Sequence, residues 1–155
     1  MAKVGRAAYA ASRARLEVVT ADKTITKNES GELYAIDIGA NCDVTLPADA
    51  EDGTRYKFMI IDDAAHYFAI TTGTANSQPF QGAVLHIDTN STDDSSGTQE
   101  VAQPVKADGA TNGDDDELKL ITPAQGSYVI CVYSASLSRW LVEGLVMDAS
   151  APTFS

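Results

Sequence analysis

The chain has 155 residues, 44% hydrophobic and 21% charged, with a net charge of −11. That length suits one domain with a buried core, and no apolar run approaches the roughly 20 residues that span a bilayer. The acidity argues against nucleic acid as a partner, because phosphate binding needs clustered Lys and Arg.

Charge is distributed unevenly. Lys3, Arg6, Arg13 and Arg15 place four positive charges and no negative one in residues 1–15, among six alanines. The remaining 140 residues carry 7 basic and 22 acidic side chains. The first segment is read as an N-terminal binding arm, extended or partly helical through its alanines. It lacks the continuous apolar segment of a secretory signal, and it has few strong apolar residues for the amphipathic face of a mitochondrial one.

From residue 16 onward the pattern is β structure. Arg15–Thr20 is rich in β-branched residues and Lys23–Lys27 alternates. In Glu32–Ile38, Leu33, Ala35 and Asp37 share one face and Tyr34, Ile36 and Ile38 the other, and Cys42, Val44 and Leu46 point one way in the next run. Arg55–Asp62 sets Tyr56, Phe58 and Ile60 on one face, with Met59 and Ile61 making its distal half apolar on both. Period-two alternation marks strands with a face against a core. Tyr67–Thr72 follows after a short turn, so it is expected to pair with Arg55–Asp62 as a hairpin. Ala83–Ile87, Glu117–Ile121, Ser127–Ser134 and Arg139–Val146 complete the set, separated by Gly, Pro, Asn and Ser clusters that accept turn geometry. A short helical turn is expected at Ala48–Glu51. About ten short strands spaced this way predict an all-β fold, a single β-sandwich or barrel of jelly-roll-like type. Within it Val44, Leu46, Tyr56, Phe58, Ile60, Tyr128 and Trp140 are the expected core.

Residues 88–116 differ, being rich in Asp, Asn, Ser, Thr and Gly. So polar a stretch buries little. It is expected to protrude as a loop, with a small hairpin around Thr98–Lys106.

Signatures of catalysis are thin. His66 and His86 have no Cys or acid at metal-ligand spacing, so no metal or other cofactor is expected. No nucleophile elbow, P-loop or dinucleotide fingerprint occurs. Asp114–Glu117 lacks the alternating ligand pattern of a calcium loop and is read as a solvated charged loop. The Asn28 and Asn90 glycosylation patterns are chance matches to a loose motif. Cys42 and Cys131 lie in apolar runs and are read as buried thiols, a disulfide being the alternative. Trp140 is read as core, which leaves Tyr67 and Phe68 as the aromatic pair a carbohydrate-binding module would use. Paired carboxylates for glycoside cleavage have no support in the spacing.

Two segments carry a resemblance. One runs from Gly31-x-Leu33-Tyr34 through Asn41–Pro47, ending Val-Thr-Leu-Pro, to Gly53 and Tyr56-Lys57-Phe58. The other runs from Gly126 to Tyr133, then from Arg139-Trp140 to Gly144. Together they resemble the β-rich decoration, or cement, proteins on the heads of tailed bacteriophages, over about half the chain. The resemblance implies a non-enzymatic virion protein on the outer surface of the capsid. It would bind the assembled major capsid protein as a homo-oligomer, favouring a trimer, and brace it against internal DNA pressure. Lys3, Arg6, Arg13 and Arg15 are assigned the capsid contact, since a basic arm can fold onto acidic patches. A fibre or tail module presenting residues 88–116 to a receptor is the runner-up, and a carbohydrate-binding module is the rival from another class.

Overall fold

The computed structural model describes residues 15–89, 102–111 and 113–155. Twelve strands form two sheets: β1 (Leu16–Val19), β2 (Lys23–Thr24), β3 (Leu33–Ile36), β4 (Cys42–Thr45), β5 (Arg55–Ile60), β6 (Phe68–Thr71), β7 (Phe80–Asp88), β8 (Ala102–Asp108), β9 (Glu117–Leu120), β10 (Tyr128–Ser134), β11 (Arg139–Asp148) and β12 (Thr153–Phe154). The large sheet has the order β1-β3-β5-β10-β11-β7-β8 and the small one β12-β9-β6-β4-β2. The expected β-sandwich is therefore present, with mixed sheets rather than purely antiparallel ones.

The mixture has a simple origin. From β1 to β7 the chain alternates between the sheets at every step. Strands that arrive in one sheet by the same route run the same way, so β1, β3 and β5 are parallel neighbours, as are β2, β4 and β6. This overturns the expected hairpin. β5 pairs with β3 and β10, whereas β6 lies in the other sheet between β4 and β9. Residues 61–67 are a crossover, and both edges of β5 are already occupied.

The core lies between the sheets. Tyr34, Tyr56, Phe58 and Trp140 of the large sheet are fully buried against Val44, Phe68, Ile70, Leu118 and Leu120 of the small one. Tyr34 stacks on Phe58 at 5.4 Å, and Phe58 meets Phe68 across the sandwich at 5.8 Å. Trp140 lies 5.2 Å from Tyr133 and 6.0 Å from Tyr56. Such ring pairs add about 0.5–1.5 kcal/mol each beyond their area. Pro47, which cannot donate to a ladder, follows β4.

Two further expectations change. Ala48–Glu51 is not helical; among the described residues the helical turn is a 3-10 segment at Lys27–Glu29. There the backbone N–H and hydroxyl of Thr26 donate to Glu29 Oε2 at 2.6 and 2.7 Å, the carboxylate folding back over the turn that precedes it. The second change is at the excursion. Residues 102–108 are not part of a small separate hairpin but form the edge strand of the large sheet, antiparallel to β7. Composition hid it because an edge strand exposed along much of its length needs few apolar residues, and only Ala107 is buried. Pro104 and Lys106 blunt its free side. Residues 90–101 lie outside the described residues.

Candidate functional site

Strand parity gives each sheet an inner and an outer face. The outer face of the small sheet carries Asp43, Thr45, Thr71, Glu117, Lys119 and Thr153, as a face in water should. That of the large sheet does not follow the rule. Its cross-strand rows, read from the pairing register, run Leu16, Leu33, Lys57, Ile130, Glu143, Ala83, Lys106 in one and Val18, Ala35, Met59, Tyr128, Leu145, Leu85, Pro104 in the next. Leu16 is 65% exposed, Val18 53%, Leu85 43% and Leu141 39%. Two grooves on this face, of about 360 and 310 Å³, share Ile130, Val132 and Glu143 in their walls. No element among the described residues covers the face. A largely apolar face of this breadth marks a place of association.

Its charge is equally distinctive. Of the 22 acidic residues in the chain, Glu143 and Asp108 sit on the outward positions of these strands, with the cations Arg55, Lys57, Lys106 and Arg139. The face is thus apolar and slightly basic on a strongly acidic body.

The expected core residues mostly lie where they were placed: Val44, Leu46, Tyr56, Phe58, Ile60 and Trp140 are all buried in the core cluster. Tyr128 is the exception. In β10 the inward positions are Val129, Cys131 and Tyr133, so Tyr128 faces out, half-buried, with Lys57 Nζ 5.0 Å from its ring centre. Every residue from Tyr128 to Tyr133 is apolar or aromatic, and alternation could not fix its parity.

Of the arm residues, Lys3, Arg6 and Arg13 lie outside the described residues. Arg15 is fixed to the body: its carbonyl accepts from Leu33 N at 2.8 Å, and its guanidinium lies 3.3 Å from Glu32. Beside it Glu17, Glu29 and Glu32 gather within 4.8 Å of one another. Lys23 Nζ sits 2.9 Å from both Glu17 and Glu29, so Lys23 and Arg15 offset two of the three charges of this cluster. Burial disfavours the Glu29 carboxylate, but hydrogen bonds from Lys23 and Thr26 outweigh it and hold its pKa at about 2.

Other chemistry-bearing groups are committed to structure. Cys42 and Cys131 are free and buried. Burial raises the Cys42 thiol to about 11 and pushes Cys131 higher still, so neither supplies a thiolate at neutral pH. His86 is buried, with Nε2 3.1 Å from the Asp148 carbonyl oxygen, and His66 lies half-buried in a bend. The Tyr67–Phe68 pair is no exposed platform: Phe68 is in the core, and Lys119 Nζ covers the Tyr67 ring at 3.9 Å. The acidic run 114–117 is not the solvated loop expected. Asp115 is buried and accepts from Gly109 N and Ala110 N at 2.9 and 3.2 Å. Its neighbour Asp116 accepts from Asn76 N at 2.7 Å. Burial and the neighbouring Asp108 raise the Asp115 pKa.

Asp148, which the sequence does not single out, is a heavily bonded carboxylate. It is fully buried and accepts from Ile121 N, Thr122 N, the Thr122 hydroxyl and Ser150 N at 2.8–3.1 Å. It thereby ties the end of β11 to the end of β9 in the other sheet. No sequence pattern distinguishes it from the other aspartates.

Comparison with protein-family models gives no match, and comparison with curated proteins gives none either.

Proposed function

We propose that this is a non-enzymatic structural protein that works by docking: a decoration protein on the outer surface of a tailed-phage capsid, stabilising the assembled shell. One observation supports a protein built for assembly rather than for chemistry, the broad apolar outer face of the large sheet, which a domain working alone would not need. The groups that could do chemistry support it by being engaged elsewhere: Asp148 and Asp115 cap backbone N–H groups, Glu29 holds Lys23, and the thiols are buried. The capsid assignment itself comes from the sequence resemblance.

The major capsid protein is the partner in this reading, and the arm residues Lys3, Arg6 and Arg13 make the contact. Arg15 anchors the base of the arm beside β3, through the Leu33 N–H and the Glu32 carboxylate. Many copies on a symmetric shell multiply a modest contact through avidity.

The experiment is co-sedimentation with undecorated phage heads, comparing the full chain with a chain lacking residues 2–14. Saturable binding by the full chain, lost in the shortened one, with heads that resist heating better, is the expected result. Absence of binding to heads, or turnover of a substrate by the purified protein, overturns the proposal.

A further inference from the structure

The outer face of the large sheet is complementary to itself. β10 is the middle strand of the seven, with three strands on either side. A two-fold axis parallel to β10 and passing over Ile130 would lay one copy on another with the order of each cross-strand row reversed. Lys57 and Glu143 flank Ile130 in the same row, one strand to either side. Reversal sets Lys57 of each copy opposite Glu143 of the other, forming two ion pairs around an Ile130–Ile130 contact. In that row Leu33 meets Ala83, and Leu16 meets Lys106, whose aliphatic stem can lie over it. In the next row Met59 meets Leu145 and Ala35 meets Leu85, around a Tyr128–Tyr128 contact.

We propose that a second copy of this chain packs on this face, sheet against sheet, as a two-fold dimer centred on Ile130. The inference is independent of whether the protein binds a capsid. Packed sheets lie about 10 Å apart with strands nearly aligned, a gap that the facing Lys and Glu side chains can span together. At about 4.8 Å between strands the face is roughly 29 Å wide, and seven residues of β10 run about 23 Å. Their product, roughly 650 Å², approaches the 800 Å² or so per partner of a standard stable interface. Electrostatics select the same surface. Two bodies this acidic repel along most approaches, and this face carries two of the chain's 22 acids. Glu143 has no ion pair among the described residues, which leaves it available to the second copy.

The test is sedimentation equilibrium of the full chain from about 1 to 200 µM, repeated on Lys57→Glu, Glu143→Lys and the double variant carrying both. The dimer is expected in the wild type. Each single substitution places like charges at both symmetry-related pairs and should weaken it by about tenfold or more, and the double swap should restore it to within about threefold. A monomer at every concentration, a trimer, singles without effect or a double swap without rescue each overturn the proposal. So does a monomeric full chain that dimerises once residues 2–14 are removed, since the chain's own arm would then hold the face. Should a charge variant fail to fold, Ile130→Cys with a short bis-maleimide supplies the second measurement. A covalent dimer is expected, both native thiols being buried, and its absence at dimer-forming concentration overturns the arrangement equally.

Discussion

Replacing Asp148 by Ala should loosen the sandwich at one end, and the size of the loss follows from its bonds. The carboxylate accepts from two backbone N–H groups just beyond β9, from a third at Ser150 and from the Thr122 hydroxyl. Alanine leaves these donors without an acceptor. An unsatisfied buried donor costs about 1–3 kcal/mol, and bonds to a charged group contribute at the upper end. Ile121 and Thr122 are only partly screened from water, so part of that cost is recovered by hydration. The expected loss is about 3–5 kcal/mol, or a fall in Tm of about 10 °C for a domain of this size. Asp148→Asn keeps one oxygen for the Ile121 and Thr122 N–H groups but turns its amide toward the Ser150 donor, and should lose about 2 kcal/mol. Thermal and urea unfolding followed by circular dichroism measure both. Asp37→Ala, at an exposed side chain beside β3, is the control and should change stability by less than about 0.5 kcal/mol. A loss under about 1 kcal/mol in Asp148→Ala would refute the claim that this carboxylate clamps the two sheets.

Three further outcomes follow from the same geometry. Gly82 has φ +141°, and a Cβ there would fall on the Val142 carbonyl of the paired strand; Gly82→Ala should cost more than about 3 kcal/mol or prevent folding, while Gly39→Ala, with open space around it, stays near neutral in the same unfolding assay. Glu29, with its folded pKa at about 2 against 4.5 unfolded, contributes stability that is complete above pH 4.5 and is lost as pH falls toward 2. The full shift would correspond to about 3 kcal/mol and solvent screening reduces it to roughly 1–2, so Glu29→Gln should show a shallower loss of urea stability between about pH 6 and pH 3, and parallel curves would contradict the ion-pair account. Cys42 and Cys131 should resist a thiol reagent at about pH 8 in the folded protein and both react in denaturant; rapid labelling of the native chain would show that they are not buried.

What could be read from the sequence was what alternation encodes. Val44, Leu46, Tyr56 and Phe58 each sit in a run where apolar and other residues take turns, and all are in the core. Alternation says which residues share a face and nothing about which sheet a strand joins. The 61–67 crossover therefore read as a hairpin turn. Where both faces of a strand are apolar the parity itself is lost, so Tyr128 reads as inward when Tyr133, its ring tilted against Trp140, is the inward one. Single carboxylates carry no periodic signal at all. Asp115 and Asp148 look like any other acid in the chain until their neighbours are known. β8 was hidden for the opposite reason, being an edge strand whose composition is that of a loop.

The outward face of β10 bears on function. β10 reads Tyr-Val-Ile-Cys-Val-Tyr, and β11 continues with Trp-Leu-Val before Glu143 and Leu-Val-Met after Gly144. Near-continuous apolar runs are the pattern of strands covered on both faces. Here the second cover is absent from the described chain, while the small sheet alternates normally and faces water with Asp, Thr, Glu and Lys. One chain thus carries both patterns, which excludes a general tolerance for exposed apolar surface as the cause. Keeping Ile130, Val132, Leu141 and Leu145 in water all the time would cost solubility with no return to the fold, because none of them packs in the core. The charge pattern points the same way. Acidic residues are spread over the body yet thin out on this face, where repulsion would oppose a second layer. Sequence pattern, sheet register and charge are therefore the three observations on which the proposed second layer over the large sheet rests.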